Sequence, residues 1–312
     1  MIGLADAAAR LEARLPPGRV QRDFPSGELT TYRVGGPLAV LVRVAHEDDL
    51  GPLAAALRDL DLPLVVVGAG SNLLVADAGF PGIAVMLAAD FEHIAIDTGA
   101  GLVTAGGIAR LPVVARRAAR EGVAGLEFYV GIPGSVGGAV RMNAGGHGRE
   151  TRDVLVDARL VDLRRGEVET RANADLGFAY RHSNVGADTL VLSARFRVSA
   201  DERAACAARI DEIVRWRREH QPGGANAGSV FSNPPDDSAG RLIDAAGLKG
   251  LRVGGASVST KHANFIQAEP GATAHDVHAL IGEVRRRVVD ATGIVLEPEV
   301  RLVGFGGTDG GA

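Results

Sequence analysis

The chain has 312 residues, 46% hydrophobic and 23% charged, with a formal net charge of −4. That balance belongs to a globular protein large enough for two or three domains, and it excludes a disordered chain or a strongly basic nucleic-acid-binding surface. A lone cysteine, Cys206, excludes an intramolecular disulfide and any cysteine-based zinc or iron–sulfur site. Lysine occurs only at Lys249 and Lys261, while arginines alternate with acids, as in Arg149-Glu150-Thr151-Arg152-Asp153. Such arginines reflect base composition, not a recognition patch. No basic-then-apolar leader opens the chain, and no run reaches the ~18 apolar residues of a membrane span. The expectation is a cytoplasmic protein with no nucleic-acid, membrane or obligate protein partner.

In chain order, the spacing predicts a short helix over Leu4–Leu15 and a strand over Leu38–Val44. A helix follows over His46–Leu60, with Leu50, Leu53, Leu57 and Leu60 on one face. Leu64–Val67 reads as a strand running into the glycine loop VVVGAGSNLLV. Further strands are expected at Ile83–Leu87, Ile94–Ile96 and Leu102–Ala105. A helix is expected over Arg110–Glu121, closed by Gly122. The glycine-dense segment GIPGSVGGAVRMNAGG then spans Gly131–Gly146. Val154–Leu163 and Leu190–Val198 read as strands, the second alternating Leu192, Ala194, Phe196 and Val198. The character changes near Ser199: Asp201–His220 is one amphipathic helix, and Gln221–Ala227 a Pro/Gly linker. Beyond it come a strand around Val230, a helix over Gly240–Ala246, a strand over Ala263–Gln267, a helix over Thr273–Ala291 and a strand over Leu296–Val303. Strands and helices mix without a strict βαβ rhythm, so the predicted class is α+β. The predicted division is 1–200, itself split near 90, then 201–304, then a flexible tail at 305–312.

Two glycine loops in apolar surroundings suggest a large cofactor held mainly by main chain, because glycine permits positive φ and close approach. Gly68-Ala69-Gly70-Ser71-Asn72-Leu73 follows a strand, but the third glycine of a dinucleotide fingerprint would fall at Leu73. The Rossmann pattern fails there, and no P-loop exists. What remains is a turn whose N–H groups can form an anion-binding nest, or a plain turn. His275 and His278 share a helix but lack a third ligand at a convincing spacing, so no metal is expected. Three short segments carry polar groups in tight contexts: Arg181 in FAYRHS, Ser229 in AGSVFSNP, and Glu297 and Glu299 in LEPEV. An ST turn for Ser229 and a structural ion pair for Arg181 and Glu299 form the equally available reading.

From TTYRVGGP at Thr30 through VVGAGSNLLV, GIPGSVGGAVRMNAGG, FAYRHS, AGSVFSNP, AGRLIDAAGLKG at Ala239 and VSTKHANFI at Val258 to LEPEV, the chain resembles the UDP-N-acetylenolpyruvoylglucosamine reductase family. The resemblance covers nearly the whole chain. It implies a vanillyl-alcohol-oxidase-type FAD-binding region of two subdomains followed by a smaller substrate domain. The short chain between Arg181 and Leu190 matches the subclass without an inserted tyrosine loop. The implied reaction is reduction of UDP-N-acetylglucosamine enolpyruvate by NADPH through FAD, in peptidoglycan precursor synthesis for the cell wall. By the same resemblance Arg181, Ser229 and Glu299 are the catalytic positions. FAD would be held by Gly68, Ala69, Gly70, Ser71, Asn72, Leu73, Gly131, Ile132, Pro133, Gly134, Ser135, Gly137, Gly138 and Asn143. Tyr180, Asn233, His262 and Asn264 would meet substrate. The chain departs from the family pattern at Ser232, where lysine is common, and at Gly146-His147. The alternative is a flavin-dependent oxidase or dehydrogenase of the same fold acting on another alcohol or sugar, which leaves AGSVFSNP and LEPEV without a role.

Overall fold

In Thr189–Arg197, Leu190, Leu192, Ala194 and Phe196 are buried while Arg195 and Arg197 are exposed. That alternation makes it the middle strand of a five-stranded antiparallel sheet. The order is Val168–Ala172, Leu155–Asp162, Thr189–Arg197, Leu102–Gly106, Ile94–Asp97. A second sheet runs Val20–Pro25, Pro37–Val44, Phe80–Leu87, Leu64–Val66, its last pair parallel. These features come from a computed structural model, which describes residues 3–306.

Seven helices accompany the sheets among the described residues: α1 (Leu4–Glu12), α2 (Leu50–Leu57), α3 (Leu111–Arg120), α4 (Val136–Met142), α5 (Arg203–His220), α6 (Ala239–Ala245) and α7 (Ala274–Thr292). None is long and apolar enough to cross a membrane. α3 ends as its sequence predicts, with Gly122 in the left-handed region (φ 72°) donating to Ala119.

Contacts divide the chain into two units. The first comprises Met1–Asp23, Ala39–Ala69 and Pro81–Arg217; the second comprises Phe24–Leu38, Gly70–Phe80 and Arg218–Ala312. The first unit has two cores. One gathers Val40, Val42, Leu53, Ile83 and Val85; the other gathers Val103, Val114, Tyr129, Val140 and Phe196. The change from one to the other falls by Phe91, near the predicted split, although Leu190 and Leu192 return to the first core. In the second unit α7 packs on the antiparallel strands Arg252–Val253, Ala256–Val258 and Ile266–Ala268, and Leu73–Val75 pairs in parallel with Arg301–Val303.

The unit boundary differs from the expected one near Ser199. α5 belongs to the first unit as far as Arg217, because Cys206 and Ile210 enter its core with Ile213 and Val214 packed beside them. The second unit also takes two stretches from early in the chain. α4 is a helix inside the glycine-dense segment, where only a loop was read. The segments around Val230 and Leu296 are joined by isolated bridges, and only Arg301–Val303 continues as a regular strand. Most of the expected flexible tail, residues 307–312, lies outside the described residues.

α7 begins with a reciprocal cap: the Thr273 hydroxyl accepts from Asp276 N (3.1 Å), and the Asp276 carboxylate accepts from Thr273 N (3.0 Å). Thr273→Ala should therefore lower stability by about 1 kcal/mol, read as a lower denaturant midpoint with unchanged slope.

Candidate functional site

The first glycine loop is shaped by the chain around it. At Gly70 (φ 64°) a Cβ would lie 1.8 Å from the Leu29 carbonyl oxygen, so no side chain fits. At Gly68 a Cβ would lie 2.7 Å from Ser135 Oγ, so within the first unit the end of the first glycine loop touches the second. Among the described residues, the amides of Gly68, Ala69, Gly70, Ser71 and Asn72 donate to no chain acceptor. Backbone donors left over in a tight turn suit an anionic group. The hydroxyls of Ser26, Thr30 and Thr31 are also buried without partners, and Thr31 N donates to Gly70 O (3.1 Å). Burying such groups without a partner is costly, so within the second unit Gly70, Ser71 and Asn72 with these hydroxyls fit a pyrophosphate-bearing cofactor such as FAD.

The other expected cofactor residues divide. Gly134 and Ser135 keep amides that donate to no chain acceptor among the described residues, while Ser135 Oγ caps α4 by accepting from Gly138 N (3.4 Å). Gly131 ends a 3-10 turn, Ile132 packs on the first unit's core, and Pro133 is exposed. Gly137 N instead donates to Gly107 O (2.7 Å). Leu73 is buried in the strand paired with Arg301. Asn72 Nδ2, in the side chain, donates to Glu299 O (2.9 Å), and Arg301 N donates to Asn72 O (3.0 Å).

Asn143, another of the expected cofactor residues, closes a helix. It ends α4 in the left-handed conformation (φ 42°) and is fully buried. Its Nδ2 donates to Glu150 Oε2 and to Ala179 O (both 3.0 Å), and its Oδ1 accepts from Arg152 N (3.0 Å). Both amide hydrogens and the oxygen of the side chain are thus engaged within the protein.

Arg181 sits in a tight turn closed by mutual Ala179–His182 backbone bonds (3.1 and 3.2 Å), itself at φ 54°. Its Nη2 donates to Gly145 O (3.4 Å), and its guanidinium carbon lies 4.9 Å from the centroid of the exposed Tyr180 ring. Past the turn, Ser183 Oγ donates to Arg141 O in α4 (2.8 Å).

In the second unit the Ser229 and Glu299 segments are paired. Glu299 N donates to Val230 O (2.8 Å), Phe231 bridges Pro298, and Ser232 N donates to Glu297 O (2.9 Å). Ser232 also gives its hydroxyl to Glu297 O (3.0 Å). On the other side Ser229 bridges Phe265 and Val230 N donates to Asn264 O (2.9 Å). Asn264 is buried and grips Phe231, accepting from its N–H (3.0 Å) and donating to its C=O (2.8 Å). Asn233 is exposed and caps α6 by accepting from Ala239 N (3.0 Å). His262 stands edge-on to Phe265, and its Nδ1 accepts from Asn264 N (3.3 Å). Burial pushes its pKa down.

A cavity of about 750 Å³ opens elsewhere in the first unit, lined by His147, Arg149, Arg197 and Trp216 among others; no expected cofactor residue lines it. Sequence reasoning missed Ser183 and Arg141 as supports of the Arg181 turn, since nothing in their spacing links them.

Because the folded pKa of His262 is depressed, the unfolded chain binds the extra proton. The ring's contribution to stability is present above about pH 6.5 and is lost as pH falls below it. His262→Phe should flatten the fall in thermal midpoint between about pH 7 and 5.

A family model described as FAD binding domain matches residues 37–171, and one described as UDP-N-acetylenolpyruvoylglucosamine reductase, C-terminal domain, matches 220–303. The chain is 43% identical over 312 residues to the UDP-N-acetylenolpyruvoylglucosamine reductase of Parvibaculum lavamentivorans, covering 99% of each. It is 44% identical over 303 residues to that of Rhodopseudomonas palustris strain BisB5, covering 96% of each. The crystal structure of the Thermus caldophilus UDP-N-acetylenolpyruvylglucosamine reductase superposes with a TM-score of 0.78 at 38% identity, covering 91% of this chain and 99% of that one. The glucose dehydrogenase Phl p 4.0202 shares the fold alone, with a TM-score of 0.50 at 14% identity over 69% of this chain and 50% of its own.

Proposed function

The chain belongs to the UDP-N-acetylenolpyruvoylglucosamine reductase family, and on that premise we propose that it reduces UDP-N-acetylglucosamine enolpyruvate to UDP-N-acetylmuramate with FAD and NADPH, in peptidoglycan precursor synthesis. The observation that carries this reading over an oxidase of the same fold is the pairing of the Ser229 and Glu299 segments, with Glu299 N on Val230 O at 2.8 Å. Both segments lie in the part of the chain matched to the reductase C-terminal domain, outside the FAD-binding match. We place the reaction in the cytoplasm, where nicotinamide reductant and nucleotide sugars are supplied.

Bound FAD supplies hydride transfer, from NADPH and then to the enolpyruvyl methylene carbon. The chain's residues handle the charge and the proton. Hydride addition leaves an enolate beside a carboxylate, so preorganised positive charge is needed there. Arg181 offers a planar fork for the carboxylate and the growing enolate charge, and the left-handed turn fixes where that fork starts. Ser229 delivers the proton to the enolate carbon; its ordinary hydroxyl is a weak acid, so neighbouring groups assist. Glu299 polarises the same region. The amides of Gly68, Ala69, Gly134 and Ser135, all in the first unit, would hold the cofactor's pyrophosphate.

Anaerobic mixing tests this reading. NADPH should bleach the flavin band and the enolpyruvyl substrate should restore it; bleaching without restoration would discard the substrate. Ser229→Ala should leave bleaching nearly intact and slow restoration by about 10²–10⁴. Equal loss in both halves would remove the assignment of Ser229. Gly68→Ala, which drives a methyl against Ser135 Oγ, should weaken FAD retention by about tenfold, the equivalent of ~1.4 kcal/mol, measured as flavin released on dilution.

A further inference from the structure

Arg181 and Ser229 lie on short segments that do not hold their own shape. Arg181 lies in the left-handed region, a conformation that costs an ordinary residue ~1–2 kcal/mol. Ser229 follows Gly228, also left-handed (φ 79°), and joins its neighbours through isolated bridges, not a regular ladder. Each segment is gripped from outside by one buried asparagine. Asn143 fastens Ala179 O at the start of the Arg181 turn, with both amide hydrogens and its oxygen engaged. Asn264 imitates a peptide group, taking the Phe231 N–H on its oxygen and giving its amide to the Phe231 carbonyl. Both asparagines are at most 4% exposed, so losing a carboxamide would strand buried backbone groups, and the segment would have to move to satisfy them.

We infer that Asn143 and Asn264 are positioning residues that act through Arg181 and Ser229 respectively, and that neither binds cofactor or substrate with its side chain. The inference rests on the catalytic roles proposed above. It makes kinetic sense, since a displacement of about 1 Å at a reacting group can cost about 10²-fold in rate. It also separates these two from Asn233, which lies in the Ser229 segment itself and whose side chain accepts from the first amide of α6.

Double-mutant cycles on the full-length holoenzyme, with the two half-reactions timed separately under anaerobic conditions, provide the test. Asn264→Ala should slow flavin reoxidation by the enolpyruvyl substrate by about tenfold or more, while bleaching by NADPH, FAD content and substrate Kd stay within about twofold. Added to Ser229→Ala, it should cost less than about twofold further, because its partner is already gone. Asn143→Gly keeps the left-handed backbone but removes all three side-chain bonds. It should slow the same step, retain FAD, and add little to Arg181→Ala. Should Asn264→Ala not fold, Asn264→Asp preserves the shape and the acceptor for Phe231 N while losing the donor to Phe231 O, and should follow the same pattern. Full multiplicative losses in the double variants, a rise in substrate Kd for Asn264→Ala, or FAD release from Asn143→Gly would overturn the inference and return these residues to direct ligand contact. If Ser229→Ala or Arg181→Ala alone left reoxidation unchanged, the proposed catalytic roles would fall, and the inference with them; that pattern is distinct from a cycle that fails on an intact catalytic pair.

Discussion

A seven-residue helix has to end somewhere, and in this protein the way α4 ends organises the ground around it. Asn143 stops the helix in the left-handed conformation and turns its carboxamide into a fully buried space. A buried carboxamide must have its donors and acceptor met. Two separate pieces of chain supply the three partners: the Glu150 side chain and the Arg152 amide from one, and the Ala179 carbonyl from the other. They bring together the segment after the glycine-rich stretch and the turn that carries Arg181. The same helix begins at Ser135, against Gly68 of the other glycine loop. One short helix therefore ties the cofactor loop contact at its start to the arginine turn at its end.

The glycines have two sources, and the structure separates them. Gly70 is glycine because the Leu29 carbonyl occupies the space a Cβ would need. Gly137 hands its amide to Gly107. These are demands of the fold. The backbone amides of Gly68 to Asn72, and of Gly134 and Ser135, donate to no chain acceptor among the described residues. A glycine-rich pattern thus marks close backbone approach of any kind, and only the hydrogen-bond accounting shows which positions are available to a ligand.

The second unit contains the Ser229 and Glu299 segments, within the stretch matched to the reductase C-terminal domain. Its parallel pair, Leu73–Val75 with Arg301–Val303, continues the first glycine loop alongside the strand that follows Glu299. Asn72 reinforces the link through the Glu299 carbonyl. The segment carrying Ser229 then runs between Glu299 on one side and Asn264 on the other. A glucose dehydrogenase with a similar fold at 14% identity gives no guide to these segments, because likeness at that level speaks to architecture only.

Much of this was legible in the amino-acid order. Periodicity located most helices and the central strands, since a 3.6-residue or two-residue repeat of apolar side chains is a local property. Gly122 closed α3 as expected, and the order of the motifs pointed to the family. The failures share a cause. α4 hides among glycines because its stability comes from Ser135 at one end, Asn143 at the other and core packing of Val136 and Val140, not from helix propensity. α5 has the pattern of a helix but not the address of the body it packs against, so the unit boundary moved to Arg217. The same distinction governs the site. Residue type in tight contexts marked Arg181, Ser229, Glu297 and Glu299, and the family resemblance implied Arg181, Ser229 and Glu299 as the catalytic positions. Only the tertiary structure decided that Glu299 pairs beside Ser229, and that Asn143 and Asn264 bond the backbone of the segments carrying Arg181 and Ser229. Those bonds join residues tens of positions apart, and a carboxamide's partner is set by the fold that surrounds it, not by its neighbours in the chain.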